Sequence, residues 1–246
     1  VPQKNKKKLQ NVCGKKWKKE VSRLNINDKC WYKDICTRPE KDNNCSSCIK
    51  FLEMNYLMQN SGLPKAKQKP IKLKPTTAHD RKMFEELADL KDNIYEFVKQ
   101  GKNLYITSNI TGNGKTSWAI KLMHKYFERI WDGNGLRTRA LFVHVPALLA
   151  DLKDFNNPLT HEYKQLLKTC DLVVWDDIAC DTLSNYDLSQ LTILIDSRML
   201  AEKSNIYTGN ITDEEGITNV LGPRLASRIY KASIIVELEG TDGRET

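Results

Sequence analysis

The octapeptide NITGNGKT at residues 109–116 is the stretch of this chain best equipped for chemistry. A glycine-rich turn closed by Gly-Lys-Thr, set between an apolar strand and a helix, makes a cradle for phosphate groups. Gly112 and Gly114 let backbone N–H groups turn inward, aided by the N-terminus of the following helix. Asn113 and Ser117 complete the loop. Lys115 is placed to reach β- and γ-phosphates, and the Thr116 hydroxyl to ligate Mg²⁺. The pattern normally begins with glycine. Here Asn109 takes that place, and asparagine tolerates left-handed backbone better than most residues. The plain alternative is a glycine-containing turn beside a lysine, and the flanking strand and helix speak against it.

Three further groups suit the same chemistry. LVVWDD (172–177) is an apolar run ending in two carboxylates. Asp176 is placed to hold Mg²⁺ and Asp177 to polarise an attacking water, although two acids in this position also cap helices. Asn210, in NIYTGNIT, ends a later apolar run and is placed to orient that water, unless it is an ordinary turn asparagine. GPRLASRIY (222–230) carries Arg224 and Arg228 four residues apart on one helix face. They suit an arginine finger, or else they are surface arginines paired with the acids just upstream, Asp213, Glu214 and Glu215.

Five of the seven cysteines fall within the first 48 residues. Cys30, Cys36, Cys45 and Cys48 have the spacing C-x5-C-x8-C-x2-C, and the last pair has the spacing of a metal knuckle. A reducing compartment disfavours disulfides, so Zn²⁺ bound by four thiolates is the expectation, with Cys13 as an alternate for Cys36. Cys170 and Cys180 read as small core residues.

These groups need elements to hold them. Apolar strands are expected at 103–107, 139–145, 171–175, 205–209 and 233–238. Helices are expected at 80–100, 114–130, 146–154, 159–168, 186–202 and 222–230. Such alternation means an α/β fold, a parallel sheet covered by helices on both faces. Ahead of it, 49–60 reads as a short helix closing the cysteine module, and the proline- and lysine-rich 61–79 as an extended linker. The expected domains are 1–60, with a basic tail and zinc, then 80–246.

The chain has 246 residues and a net charge of +8. Residues 1–100 hold 23 Lys/Arg against 12 Asp/Glu, so all of the excess positive charge lies there. That front half suits an anionic partner, or is a solvated basic surface. No apolar run reaches the ~18 residues that cross a bilayer, and no signal peptide is evident, so a cytoplasmic protein without a membrane partner is expected.

TGNGKT, VVWDDIA, IDSR at 195–198, YTGN and LGPRLASRI, in that order, resemble the AAA+ ATPases of the DnaC/DnaI type, the bacterial and phage loaders of replicative helicase. The resemblance covers about residues 80–246 and extends loosely to the front. It implies ATP and Mg²⁺ as cofactors, Asn210 as sensor 1, and Arg228 as the finger acting on a neighbouring protomer's ATP, with Arg224 as second choice. It implies a homo-oligomer formed through the AAA+ domains, a zinc module that grips the hexameric helicase, and no helical lid after the last strand. It also turns two segments toward a central channel holding single-stranded DNA. They offer Ser184 and Tyr186, then Lys153 and Phe155. Asp177 stands where many AAA+ proteins have glutamate, and its shorter reach implies slow hydrolysis. A transposition helper ATPase and a non-enzymatic nucleic-acid-binding adaptor are the alternatives.

Overall fold

The computed structural model describes residues 48–68, 73–130, 137–153, 159–179 and 183–241. The chain divides into two compact units, Val1–Tyr56 and Leu57–Thr246. Of the first, the described residues comprise Cys48, a free thiol, and the opening turns of helix α1, Ile49–Gln59. Cys13, Cys30, Cys36, Cys45, Phe155 and Cys180 lie outside the described residues.

The second unit is built on five parallel strands in the order β2-β3-β4-β1-β5. They are β1 (Asn103–Thr107), β2 (Ala140–His144), β3 (Leu172–Asp176), β4 (Ser204–Gly209) and β5 (Ser233–Glu237). Every residue of β1, β3 and β4 is buried. Near-continuous apolar runs suit inner strands covered on both faces. β4 enters between β1 and β3, so the strand that precedes the glycine-rich loop and the strand that ends in two aspartates are not neighbours. Their C-terminal ends flank that of β4.

The helices are α2 (Ala78–Asp92), α3 (Ile94–Lys99), α4 (Lys115–Arg129), α5 (Val145–Leu152), α6 (Leu159–Thr169), α7 (Asn185–Leu200) and α8 (Glu214–Ala226). Two differ from expectation. The single helix expected at 80–100 is broken at Asn93, whose φ of −103° and ψ of 14° leave the helical region, while its side-chain amide and backbone N–H both donate to Asp89 O. The helix expected from residue 222 starts at Glu214, capped by the Asp213 carboxylate, which accepts from Gly216 N at 2.6 Å. Gly222, at φ 74°, breaks it before Pro223, and a π-helical turn (Ser227–Lys231) follows.

Part of the segment expected to be an extended linker docks on the sheet. Ser61 is fully buried, and its carbonyl accepts from Phe142 N at 2.6 Å on the open edge of β2. Leu63 is buried as well, and Thr77 caps α2 by accepting from Asp80 N at 2.9 Å. An unpaired strand edge is costly to leave bare, and the backbone at Ser61 covers part of it.

Among the described residues, one charged side chain lies wholly inside. Arg198 of α7 is 0% exposed. Its Nε donates to Asn205 Oδ1 at 2.6 Å, Nη1 to the carbonyls of Leu167 and Cys170 at 2.6 and 2.9 Å, and Nη2 to Ser204 O at 2.6 Å. One guanidinium thus joins the C-terminal end of α6 to the start of β4. Burial lowers its pKa from the usual arginine value.

Candidate functional site

The loop from Ser108 to Gly114 leads from β1 straight into α4. Gly112 and Gly114 hold φ of 76° and 101°, a region that favours glycine, so both turns depend on it. Asn109 does not share that geometry. Among the described residues, the non-glycine residues with positive φ are Asp177 and Glu202. The missing first glycine therefore demands no left-handed tolerance from asparagine, and the loop forms for a simpler reason than expected. Inside the loop, Asn113 is buried and its amide donates to Ser108 Oγ and to Leu238 O, the latter at 3.2 Å.

Lys115 is 7% exposed, and its ammonium group is satisfied by carbonyls. Nζ donates to Ile110 O at 2.8 Å and to Ser108 O and Asn113 Oδ1 at 3.4 Å each. These carbonyl contacts hold the ammonium group at the mouth of the glycine-rich loop, where it can exchange them for the oxygens of an anion. Thr116 Oγ1 donates to Asp176 Oδ1 at 2.7 Å, a bond that crosses from α4 to the end of β3. A hydroxyl and a carboxylate in that contact, beside a glycine-rich turn, fit an oxygen-preferring ion such as Mg²⁺.

β3 ends in Asp176 and the chain turns at Asp177, whose φ of 56° is left-handed. Thr208 secures both. Its hydroxyl donates to Asp176 Oδ1 at 2.8 Å and accepts from Asp177 N at 3.1 Å. Burial pushes the Asp177 carboxyl above its usual range and the charge of Asp176 adds to this, while His144, Lys115 and Lys67 pull the other way. Asp177 remains 42% exposed, open to solvent beside its buried neighbour. Asn210 follows β4 directly and is exposed, at the strand end between those of β1 and β3.

Arg224 and Arg228 come together on one carboxylate that the sequence did not nominate. Arg224 Nη2 lies 2.8 Å from Asp196 Oδ2, and Arg228 Nε pairs with Asp196 Oδ1. The upstream acids expected to hold them do not. Glu214 pairs instead with Lys231 at 2.9 Å, and Asp213 caps α8. Arg224 is 70% exposed and Arg228 31%.

The described residues nominated for a channel also converge. Ser184 is the N-cap of α7 in a reciprocal pair with Asp187, accepting from its N–H at 3.2 Å and donating to its Oδ2 at 2.6 Å. Lys153 Nζ reaches the same Oδ2 at 3.2 Å, and the Tyr186 hydroxyl donates to Leu152 O at 3.0 Å. The end of α5 is thus clasped to the start of α7, and the charge of Lys153 is balanced by Asp187.

His144 and Thr208 escaped the sequence reading, though both carried a usable signal. Each is a polar residue at or near the end of an apolar strand, the same logic that singled out Asp176 and Asn210. Asp196 lies in the IDSR segment, but nothing local to α7 points to the arginines 28 and 32 positions further on. No helix among the described residues is long and apolar enough to cross a membrane.

No protein-family model matches the sequence, and no curated protein matches it. Solved structures do match. The DnaC helicase loader aligns with a TM-score of 0.61 at 19% identity, over 72% of this chain and 100% of that one. DnaI aligns with a TM-score of 0.59 at 19% identity, over 73% and 96%. The replication initiator DnaA bound to AMPPCP and single-stranded DNA aligns at 0.53 and 17% identity, over 77% and 51%. The α/β domain described above therefore shares the fold of these proteins.

Proposed function

We propose that this chain is a DnaC/DnaI-type ATPase that loads a ring-shaped replicative helicase onto single-stranded DNA at replication initiation. The observation that carries the reading is the junction of Lys115, Thr116 and Asp176 at the strand ends of a domain that matches the loaders over nearly their full length. Bound Mg²⁺ and ATP would supply the phosphoanhydride and the counter-charge. Toward them, Lys115 exchanges carbonyl partners for phosphate oxygens, Gly112 and Gly114 present backbone N–H groups, and Thr116 and Asp176 hold the ion. Asp177, exposed and with its pKa raised, takes the proton of the attacking water, and Asn210 orients that water. Arg228, with Arg224 beside it, serves the ATP of a neighbouring protomer, so the active form is an oligomer.

The remaining parts follow from this reading. Cys30, Cys36, Cys45 and Cys48 hold one Zn²⁺ in a front module that grips the helicase, checked by the zinc content of the purified full chain. Ser184, Tyr186, Lys153 and Phe155 contact the strand, in the channel position that the resemblance implies for their segments. The setting is the cytoplasm. The test is twofold. ATP turnover should vanish in Lys115→Ala, and in Asp177→Asn should fall while ATP binding persists. The chain should also copurify with the replicative helicase of its host. Undiminished turnover in both variants would remove the ATPase, and absence of any helicase complex would remove the loader.

A further inference from the structure

β2 ends on His144, and its imidazole faces the two carboxylates at the end of β3. Nδ1 lies 3.9 Å from Asp176 Oδ2 and 3.8 Å from Asp177 Oδ2. The three donor atoms all fall within 4.8 Å of one another. Asp176 makes this more than a surface cluster. Its side chain is 4% exposed, and its Oδ1 is taken by the hydroxyls of Thr116 and Thr208. Its Oδ2 accepts no hydrogen bond from any described residue and points toward the histidine. One oxygen of Asp176 is thus committed to protein hydroxyls, and the other is left on the side of the imidazole, where a cation can reach it. His144 is 49% exposed, which leaves an entry path from solvent.

We propose that His144, Asp176 and Asp177 form a binding site for a divalent transition metal of the Mn²⁺, Co²⁺ or Zn²⁺ class, distinct from the magnesium position that Thr116 and Asp176 Oδ1 suit. The donor set decides the class. One imidazole nitrogen with two carboxylates favours these ions over Mg²⁺, which prefers oxygen ligands and keeps most of its water. The spacing agrees. Ligand atoms about 2.1 Å from a tetrahedral ion stand about 3.4 Å apart, so His144 edges of 3.8 and 3.9 Å, in a triangle whose edges all lie within 4.8 Å, call for a closing movement of the two part-exposed side chains, His144 and Asp177. Three protein ligands leave a further position open to water. Asp176 then serves two sites, one through each oxygen. The site stands on geometry and donor chemistry alone, so it survives or falls independently of the ATPase reading.

The experiment is a Mn²⁺ titration of the nucleotide-free full-length chain in excess Mg²⁺, followed by electron paramagnetic resonance. Mn²⁺ is chosen because it has little affinity for the thiolates of the cysteine-rich front. The expected result is one bound Mn²⁺ per chain that resists Mg²⁺, with a ¹⁴N coupling from a directly bound imidazole in the pulsed spectrum. His144→Ala should erase that coupling and weaken Mn²⁺ binding by about tenfold or more. His144→Gln, which keeps the bulk and a hydrogen-bonding group, should erase it too while matching the native melting temperature. A native spectrum without nitrogen coupling, meaning Mn²⁺ bound through oxygens or not at all, would overturn the site. So would a His144→Ala protein with native Mn²⁺ affinity.

Discussion

Replacing Arg198 with methionine isolates the buried guanidinium that ties α6 to β4. The side chains are similar in length, so the change removes the donors with little change in packing. Three carbonyl oxygens, those of Leu167, Cys170 and Ser204, lose the donors that reach them at 2.6, 2.9 and 2.6 Å. Asn205 Oδ1 is spared, because Trp175 Nε1 also donates to it at 3.0 Å. Each carbonyl left buried without a donor costs about 1–3 kcal/mol, a gross loss of about 3–9 kcal/mol. Release of a buried cation from its desolvation returns part of this, and the net expectation is a loss of about 3–5 kcal/mol. Domains of this kind hold about 5–15 kcal/mol in all, so the variant should fold but with much of its margin gone. With a urea m-value of about 2–3 kcal/mol/M, the unfolding midpoint should fall by about 1–2.5 M, followed by tryptophan fluorescence. Arg198→Lys should recover little of this, because one ammonium cannot span acceptors spread on both sides of a planar fork. A midpoint within about 0.3 M of native for Arg198→Met, corresponding to under about 1 kcal/mol, would refute the reasoning and make Arg198 a packing residue.

Three other outcomes are expected. Asp171 sits among Arg139 at 2.6 Å, Lys203 at 3.1 Å and Arg137 at 3.6 Å. Burial alone would raise its pKa, but the hydrogen bonds from Arg139 and Lys203 outweigh that and hold it below the usual range. Its stabilisation is present above the unfolded carboxylate pKa of about 3.9 and is lost as pH falls through the folded value. Asp171→Asn should therefore be less stable than native at pH 7, with the difference closing below about pH 4, and a constant gap would count against the ion cluster. Arg228→Ala should bind ATP but not hydrolyse it, and mixing with Lys115→Ala should restore some turnover. Full activity in Arg228→Ala alongside a dead Arg224→Ala would identify Arg224 as the finger. Stacking on a base is worth about 1–3 kcal/mol, so Tyr186→Ala should weaken single-strand binding by about tenfold, whereas Tyr186→Phe keeps the ring. Unchanged affinity in Tyr186→Ala would transfer the strand contact to the basic residues 1–75.

Much of this fold can be read from the chain because its signals are local. All five strands stand within one residue of their expected positions, since a buried parallel strand is a short apolar run with clear edges. The glycine-rich loop and the Asp176–Asp177 pair announce themselves by spacing. What periodicity hides is competition at element ends. Asn93 splits a helix by leaving helical geometry, and Asp213 starts another eight residues before the Gly-Pro that looked like its beginning. Tertiary partners are hidden more deeply. Asp196 meets two arginines, and His144 meets two aspartates, through strand order and helix packing that no window of sequence contains. The intercalation of β4 between β1 and β3 is of that kind, and it is what brings Thr208 onto Asp176.

The docking of Ser61 on β2 gives the molecule a mechanical wiring. Gly62 follows with φ of 72°, and a Cβ there would stand 2.8 Å from Phe142 O, so the backbone passes too close to the strand for any side chain. Tension applied to the chain ahead of Ser61 is transmitted to Phe142 before it reaches the residues that lead on to α2. Two residues along the same strand stands His144, facing Asp176 and Asp177. A pull from the front of the chain is thus delivered along β2 to the carboxylate side of the site.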